Sequence, residues 1–306
     1  MSPSPPASGA ARGAVFAGVA CYTLWGVLPL YLRLVASTGP LPLEVIAHRA
    51  FWSVPGAGLM VLMAGQRAEC DQVLRTPRTL GLLTLSALLI ALNWTLYVWA
   101  VAQGRVLEGS LGYYINPLMN MAAGAVLFRE RIDWVGWSAI ALAGVGVLVQ
   151  ALALGHPPWI SIVLALTFTA YGLVRKQVAA EAQTGLFVEC LVLAPLALGY
   201  IFWLGRTGQG HFGAHLAPSV LLVLAGPVTV VPLMLFAWAA RRLPLSTMGF
   251  LQFIGPTMQF AIGVAGGEPL TALRAVSFVF IWLGVALFAF GAWRKTRALR
   301  LAPVTS

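Results

Sequence analysis

Charge is scarce in this chain, and acid is scarcer than base. Nine Asp plus Glu and 19 Lys plus Arg make up 9% of the 306 residues, against 59% hydrophobic side chains and a mean hydropathy of +0.86. So little polar surface cannot cover a water-soluble globule of this length, which excludes an ordinary soluble domain and points to a membrane solvent. The three cysteines, Cys21, Cys70 and Cys190, are odd in number and far apart, so neither a disulfide framework nor a zinc cluster is indicated. HExxH is absent, and Asp71 and Asp133 fall in expected loops, so neither metal nor aspartyl proteolysis inside the membrane is indicated. GSLG at 109–112 has no histidine within a span to activate its serine, except His48. No GxxxxGK[ST] occurs, which excludes an ATP-driven pump for this chain alone. The opening MSPSPPASGAAR lacks the apolar core and cleavage site of a secretory signal, so the first hydrophobic run is expected to be a retained helix.

What the chain has is apolar runs. Spanning hydrocarbon takes about 20 apolar residues per helix. Ten runs qualify: 13–34, 43–65, 79–102, 106–128, 134–153, 158–178, 185–205, 218–240, 245–266 and 271–292. The expected fold is an all-α polytopic membrane protein, with short loops and no room for a separate soluble domain. Residues 1–12 are expected to form a disordered cytoplasmic tail and 293–306 a basic one. The net charge of +10 is topological. On one face fall 14 basic residues, from Arg12 through Arg67, Arg129, Arg175 and Arg241 to Arg300. The other face holds four, Arg33, Arg105, Arg206 and Arg274, while Arg49 lies within a span. By the positive-inside rule both termini are cytoplasmic, in the inner membrane of a bacterium. Nucleic acid is not an expected partner; the lipid bilayer is.

The chain also repeats itself. An offset of 139 aligns LYVWA (96–100) with LFAWA (235–239) and YINPLMN (114–120) with FIGPTMQ (253–259) without a gap. Fainter echoes pair Trp25-Gly26 with Tyr171-Gly172, and Glu44 with Glu189. Each half, 13–153 and 158–292, holds five spans, an odd number, so the second half must enter the membrane from the opposite side. Inverted repeats of this kind build transporters, whose site lies near the midplane and is marked by Gly- or Pro-interrupted helices at matching positions.

Polar residues cluster at those positions. Tyr113, Asn116 and Asn120 are spaced i, i+3 and i+7, within an arc of about 60° on a helix. Their counterparts are Gln252, Gly255 and Gln259. Pro117 and Pro256 are expected to kink both helices, freeing the carbonyls of Tyr113 and Gln252. Asn93 and Tyr97, spaced i and i+4, face a neighbouring site. Two readings stand for this stripe: hydrogen-bonding glue between helices, or a cavity wall. Repetition at related positions favours the wall, with Trp25, Trp99 and Trp238 as apolar surfaces. Ionisable groups inside spans need a reason, since each costs about 2.5–3.5 kcal/mol at the centre. For Glu44, His48, Arg49 and Glu189 the alternatives are structural, a Glu44–His48 pair with Arg49 snorkelling outward, or functional. In the functional reading His48 or Glu189 moves a proton and Arg49 holds an anion. His156, His211 and His215 read as solvated loop residues, without metal-ligand spacing. Glu130 and Glu268 read as helix-end charges.

The segments CYTLWGVLPLYLRL, LEVIAHRAFWS, LIALNWTLYVWAVAQGRVLEGSLGYYINPLMN and RRLPLSTMGFLQFIGPTMQF resemble the EamA family of the drug/metabolite transporter superfamily. AHR at 47–49, NW at 93–94 and GYYINP at 112–117 carry the likeness, which runs over nearly the whole chain. It implies ten helices in a 5+5 inverted-topology repeat, a central cavity between the halves, and alternating access. Phe253 and Gly255 depart from the pattern, removing a phenol hydroxyl from the second half. The function expected is secondary transport of a small amphipathic metabolite or drug, coupled to protons or a counter-substrate and directed outward. An uncoupled facilitator, or a membrane scaffold or receptor, is the alternative, with an intramembrane enzyme behind both. No cofactor or metal is expected. The substrate is the expected small-molecule partner, and a homodimer is compatible with the sequence.

Overall fold

In a bilayer every backbone N–H and C=O must be satisfied within the chain, and an unbroken helix does this locally. The computed structural model describes residues 8–102, 106–129, 132–153, 157–265 and 271–301, and within them all regular structure is helical. The helices are α1 (Ser8–Ala36), α2 (Pro42–Met63), α3 (Arg67–Arg75), α4 (Pro77–Ala102), α5 (Val106–Leu127) and α6 (Trp134–Ala153). They continue as α7 (Trp159–Gln177), α8 (Ala182–Thr207), α9 (Leu216–Ala240), α10 (Leu245–Gln252), α11 (Ile254–Ala265) and α12 (Ala272–Leu301). Among the described residues seven helices, α1, α2, α4, α6, α7, α8 and α9, are long and apolar enough to cross a membrane. Large side chains such as Phe16, Leu152, Leu196 and Phe202 stand exposed on the outside, as lipid-facing residues do.

Several boundaries differ from expectation. Helix α1 already begins at Ser8, inside the stretch expected to be a disordered tail, and α12 runs through the basic segment to Leu301. Small residues and alanines in SGAAR, and alternating Arg and Leu in WRKTRALRL, sustain helix once a long helix precedes or follows. Helix α3 occupies a stretch expected to be loop; Cys70 and Val73, spaced i and i+3, bury its one apolar face. The ninth expected segment is two helices, broken at Phe253, whereas α5 runs through Pro117 without interruption. Glu130, Arg131, Arg105, His156 and Glu268 lie outside the described residues.

Packing follows a pattern. Helix α6 lies along α12, α2 along α8, and α5 along α10. Helix α5 also packs on α7 as α11 does on α1, α2 on α9 as α8 does on α4, and α4 on α7 as α9 does on α1. Connections at the helix ends are tied down in a similar way. In the α2–α4 connection, the Glu69 carboxylate accepts the Glu181 N–H (2.8 Å) and the Thr184 hydroxyl (2.8 Å) at the start of α8. In the α8–α9 connection, His211 bonds to Glu44 in the first turn of α2.

Candidate functional site

The second half of α1 sets one wall. Tyr22, Trp25, Pro29 and Leu32 recur at helical spacing and, with Leu28, face a cavity of about 760 Å³, its open part included. Arg49 of α2, Asn93, Trp94, Tyr97 and Val98 of α4, Tyr113 of α5 and Phe168 of α7 face it as well. Gln252, Gly255, Pro256 and Gln259, around the α10–α11 break, complete it. The cavity thus lies where α1 ends, α2 begins, α4 ends and α5 begins. Toward the other end the helices close. Ala14, Ala17 and Cys21 of α1 pack with Ala239, Leu243 and Met248. A Cβ on Gly18 would come within 2.7 Å of the Leu251 side chain.

Local chemistry explains how these side chains are held. Proline cannot donate to the residue four positions back, so Pro29 leaves the Trp25 carbonyl free. That carbonyl accepts from Gln259 Nε2 at 3.4 Å. The Asn93 amide donates to the Leu164 carbonyl (2.8 Å) and to Thr167 Oγ1 (2.8 Å), which ties α4 to α7 beneath the cavity. The Tyr97 and Tyr113 rings meet edge to face, with centroids 5.2 Å apart. Trp25 is set among Tyr22 (5.7 Å), Phe168 (5.7 Å) and Phe236 (5.8 Å). Such offset contacts fix ring orientation beyond simple burial.

Other expected site residues lie elsewhere. Asn120 is buried between helices, donating to Gln252 Oε1 at 2.8 Å, and so joins α5 to α10 instead of facing the cavity. Asn116 is also buried away from the cavity lining; both ends of its amide lack a protein partner among the described residues. Trp99 is 41% exposed on the outside of α4, beside Trp159, because its position turns it away from α1 and α11. Trp238 packs against the apolar core at the closed end, with the Arg242 guanidinium 4.5 Å from its ring. Of the two kinks expected, only the α10–α11 junction beside Pro256 interrupts helix.

The ionisable residues are corrected more sharply. Glu44 does not pair with His48. Its carboxylate, fully buried, accepts the His211 backbone N–H at 2.6 Å and lies 2.9 Å from His211 Nδ1. His211 is therefore a latch residue and not simply solvated. His48 Nδ1 instead accepts the Trp52 indole N–H at 3.1 Å, and its ring lies 4.9 Å from Phe212. Glu189 accepts the Ser86 hydroxyl and faces Arg175 at 3.6 Å, well apart from the cavity. Arg175, counted in the sequence among the basic residues of the cytoplasmic face, is buried, and donates to the Ala182 carbonyl at 3.1 Å. Arg49 does not snorkel outward; it is 4% exposed and turns inward. Its Nε donates to Thr229 Oγ1 at 2.9 Å, and its guanidinium lies 4.4 Å from the Trp94 ring centroid. Thr229 and His211 gave no sequence signal as partners, since each lies more than a hundred residues from the group it holds. Trp94 was visible only within the NW motif, and Phe168 only as a member of an apolar run.

Among the described residues no group of His, Cys, Asp and Glu is arranged to hold a metal ion. Among the described residues the cavity is aromatic, carries one cation, and is rimmed by amides and phenols, which suits reversible binding of a small molecule.

Comparison with known proteins places the chain in a family. The model of the EamA-like transporter family matches residues 12–152. An uncharacterized transporter of Pseudomonas aeruginosa is 43% identical, over 94% of this chain and 96% of its own length. Protein RarD of Escherichia coli is 41% identical, over 92% and 95% respectively. A solved crystal structure superimposes over 93% of this chain and 99% of its own with a TM-score of 0.67; at 18% identity this likeness concerns the fold alone. With apolar helices of membrane-spanning length, relatives named as transporters, and identity above 40% across almost the whole chain, the protein belongs to the EamA-like transporter family as a homologue of its RarD members.

Proposed function

We propose that the protein is an inner-membrane secondary transporter that exports a small amphipathic molecule by alternating access. In this reading it is a ten-helix, 5+5 inverted repeat with both termini cytoplasmic. The observation that carries the reading is the cavity itself. It lies where α1, α2, α4 and α5 of the first half meet α7, α10 and α11 of the second, and it is closed at one end only. The reciprocal helix pairings support the repeat: α5 with α7 matches α11 with α1, α2 with α9 matches α8 with α4, and α4 with α7 matches α9 with α1. Inverted repeats place a site between the halves and let one half rock against the other.

With cytoplasmic termini, the end closed by Ala14, Ala17, Ala239 and Met248 would face the cytoplasm. Neither Glu44 nor Glu189 reaches the cavity, each being held by a partner elsewhere, which favours exchange against a counter-substrate over proton coupling. The test is counterflow into proteoliposomes preloaded with unlabelled amino acids, organic acids or chloramphenicol. Accumulation of the matching labelled compound above protein-free liposomes is expected, independent of an imposed pH gradient. No counterflow with any of the panel would remove the carrier reading.

A further inference from the structure

We propose that the cavity takes an organic monoanion, a carboxylate on a flat apolar body, with Arg49 as the residue that binds the carboxylate. The assignment rests on the carrier reading and narrows it to a substrate class.

Three features of Arg49 bear on this. The first is that it is held from two sides. The Thr229 hydroxyl donates to the Ala225 carbonyl (2.7 Å), so its oxygen is turned to accept Arg49 Nε (2.9 Å). Trp94 covers one face of the guanidinium at 4.4 Å. An arginine fixed along one edge and one face presents its terminal nitrogens as a rigid fork, the geometry that suits a carboxylate. The second is that those terminal nitrogens have no hydrogen-bond acceptor and no ion pair among the described residues. The third is that among the described residues no Asp or Glu lines the cavity, while the buried carboxylates Glu44 and Glu189 are held by His211 and Arg175.

A buried cation within a membrane span is costly unless a counter-charge reaches it, and the described residues supply none. A ligand carboxylate would. An ammonium group would meet the positive charge of Arg49 with no carboxylate to offset it, so amines and zwitterions are disfavoured. The rest of the cavity fits the apolar body. Trp25, Tyr22 and Phe168 form aromatic walls, and the Tyr97 and Tyr113 hydroxyls, unbonded among the described residues, are further donors on the residues that line the cavity.

The experiment is calorimetric titration of the full chain in phosphatidylcholine nanodiscs with phenylpropionate, phenylpropionamide and phenylpropylamine. The acid should bind about tenfold or more tighter than the amide, and the amine weakest of all. Lowering the pH through the acid's own pKa should weaken the acid and leave the amide unchanged, a test that needs no variant. Arg49→Gln, checked for an unchanged gel-filtration profile, should bind acid and amide alike; Arg49→Lys should keep part of the preference. Equal binding of acid and amide by the wild type overturns the assignment, as does a preference that survives in Arg49→Gln. Failure of all three probes overturns it too, and counterflow of a neutral compound by the same preparation would then leave the carrier reading standing without it. Anionic lipid added to the nanodiscs should not abolish acid binding; if it does, a lipid headgroup occupies the site and the soluble acid is overturned.

Discussion

Arg175 and Glu189 form a charged pair inside a span, and a structural role is expected for it. Their side chains are almost fully buried, 3.6 Å apart, with Ser86 on the carboxylate and the Ala182 carbonyl on the guanidinium. Removing one partner strands the other charge, at a cost of about 3–5 kcal/mol, whereas replacing both with apolar residues of similar volume leaves no stranded charge. Glu189→Ala is therefore expected to lower the midpoint of thermal unfolding in detergent, and Arg175→Met with Glu189→Met to recover most of it. A Glu189→Ala variant with unchanged stability but altered pH dependence of transport would contradict this role. A second residue-scale prediction concerns Cys70 on α3, outside the apolar spans. Burial first, then the nearby Asp71 and Glu69 carboxylates, push its thiol above the usual range. The thiolate is the reactive form, so Cys70 should label slowly at neutral pH and faster as pH rises, followed by mass shift with a maleimide.

Helices in this protein approach closely where glycine removes a side chain. Gly146 on α6 lies so near α12 that a Cβ would come within 2.6 Å of the Ser277 carbonyl; Gly284 on α12 meets the Ala139 carbonyl of α6 at 2.7 Å. Each helix makes room for the other's backbone, the small-residue packing that membrane helices rely on without a hydrophobic drive between them. Alanine at either position must move a backbone, and overpacking of this kind costs about 1–3 kcal/mol. Gly284→Ala should thus reduce resistance to unfolding in detergent, while Gly199→Ala, with open space around its Cβ, should not. At this scale the proline pair separates what sequence could and could not give. YINPLMN and FIGPTMQ align without a gap, yet only the second lies at a helix break. Both prolines remove a donor, but Gly249 lets α10 approach the Pro117 carbonyl so closely that a Cβ there would lie 2.7 Å away, and α5 is continuous along this contact.

For the whole molecule, one cavity closed at one end leads to an accessibility pattern. Gln259 lines the cavity and Asn116 does not. The three native cysteines are buried. Gln259→Cys is therefore expected to react with a small aqueous thiol reagent in intact membranes, and Asn116→Cys to remain largely unlabelled. Equal labelling of the two would mean that the α5 face carrying Asn116 opens to water. Protection of Gln259→Cys by a transported compound would tie the cavity to transport.

Solvent class and most helical segments follow from the sequence because each is written in local features, above all runs of about 20 apolar residues. Asn93, Tyr97, Tyr113, Gln252, Gln259 and Trp25 were likewise readable as cavity candidates from polarity within apolar runs. Their separation from Asn116, Asn120, Trp99 and Trp238 was not. Which arc of a helix faces a cavity, a neighbouring helix or lipid depends on rotation about the helix axis, and every arc here is largely apolar. The partners of the buried charges were equally hidden: Glu44 finds His211, Glu189 finds Arg175, and Arg49 finds Thr229 and Trp94. Those pairings form between helices distant in sequence or brought side by side by folding. Only the tertiary structure decides which charge is neutralised within the protein and which, at Arg49, is left facing the cavity.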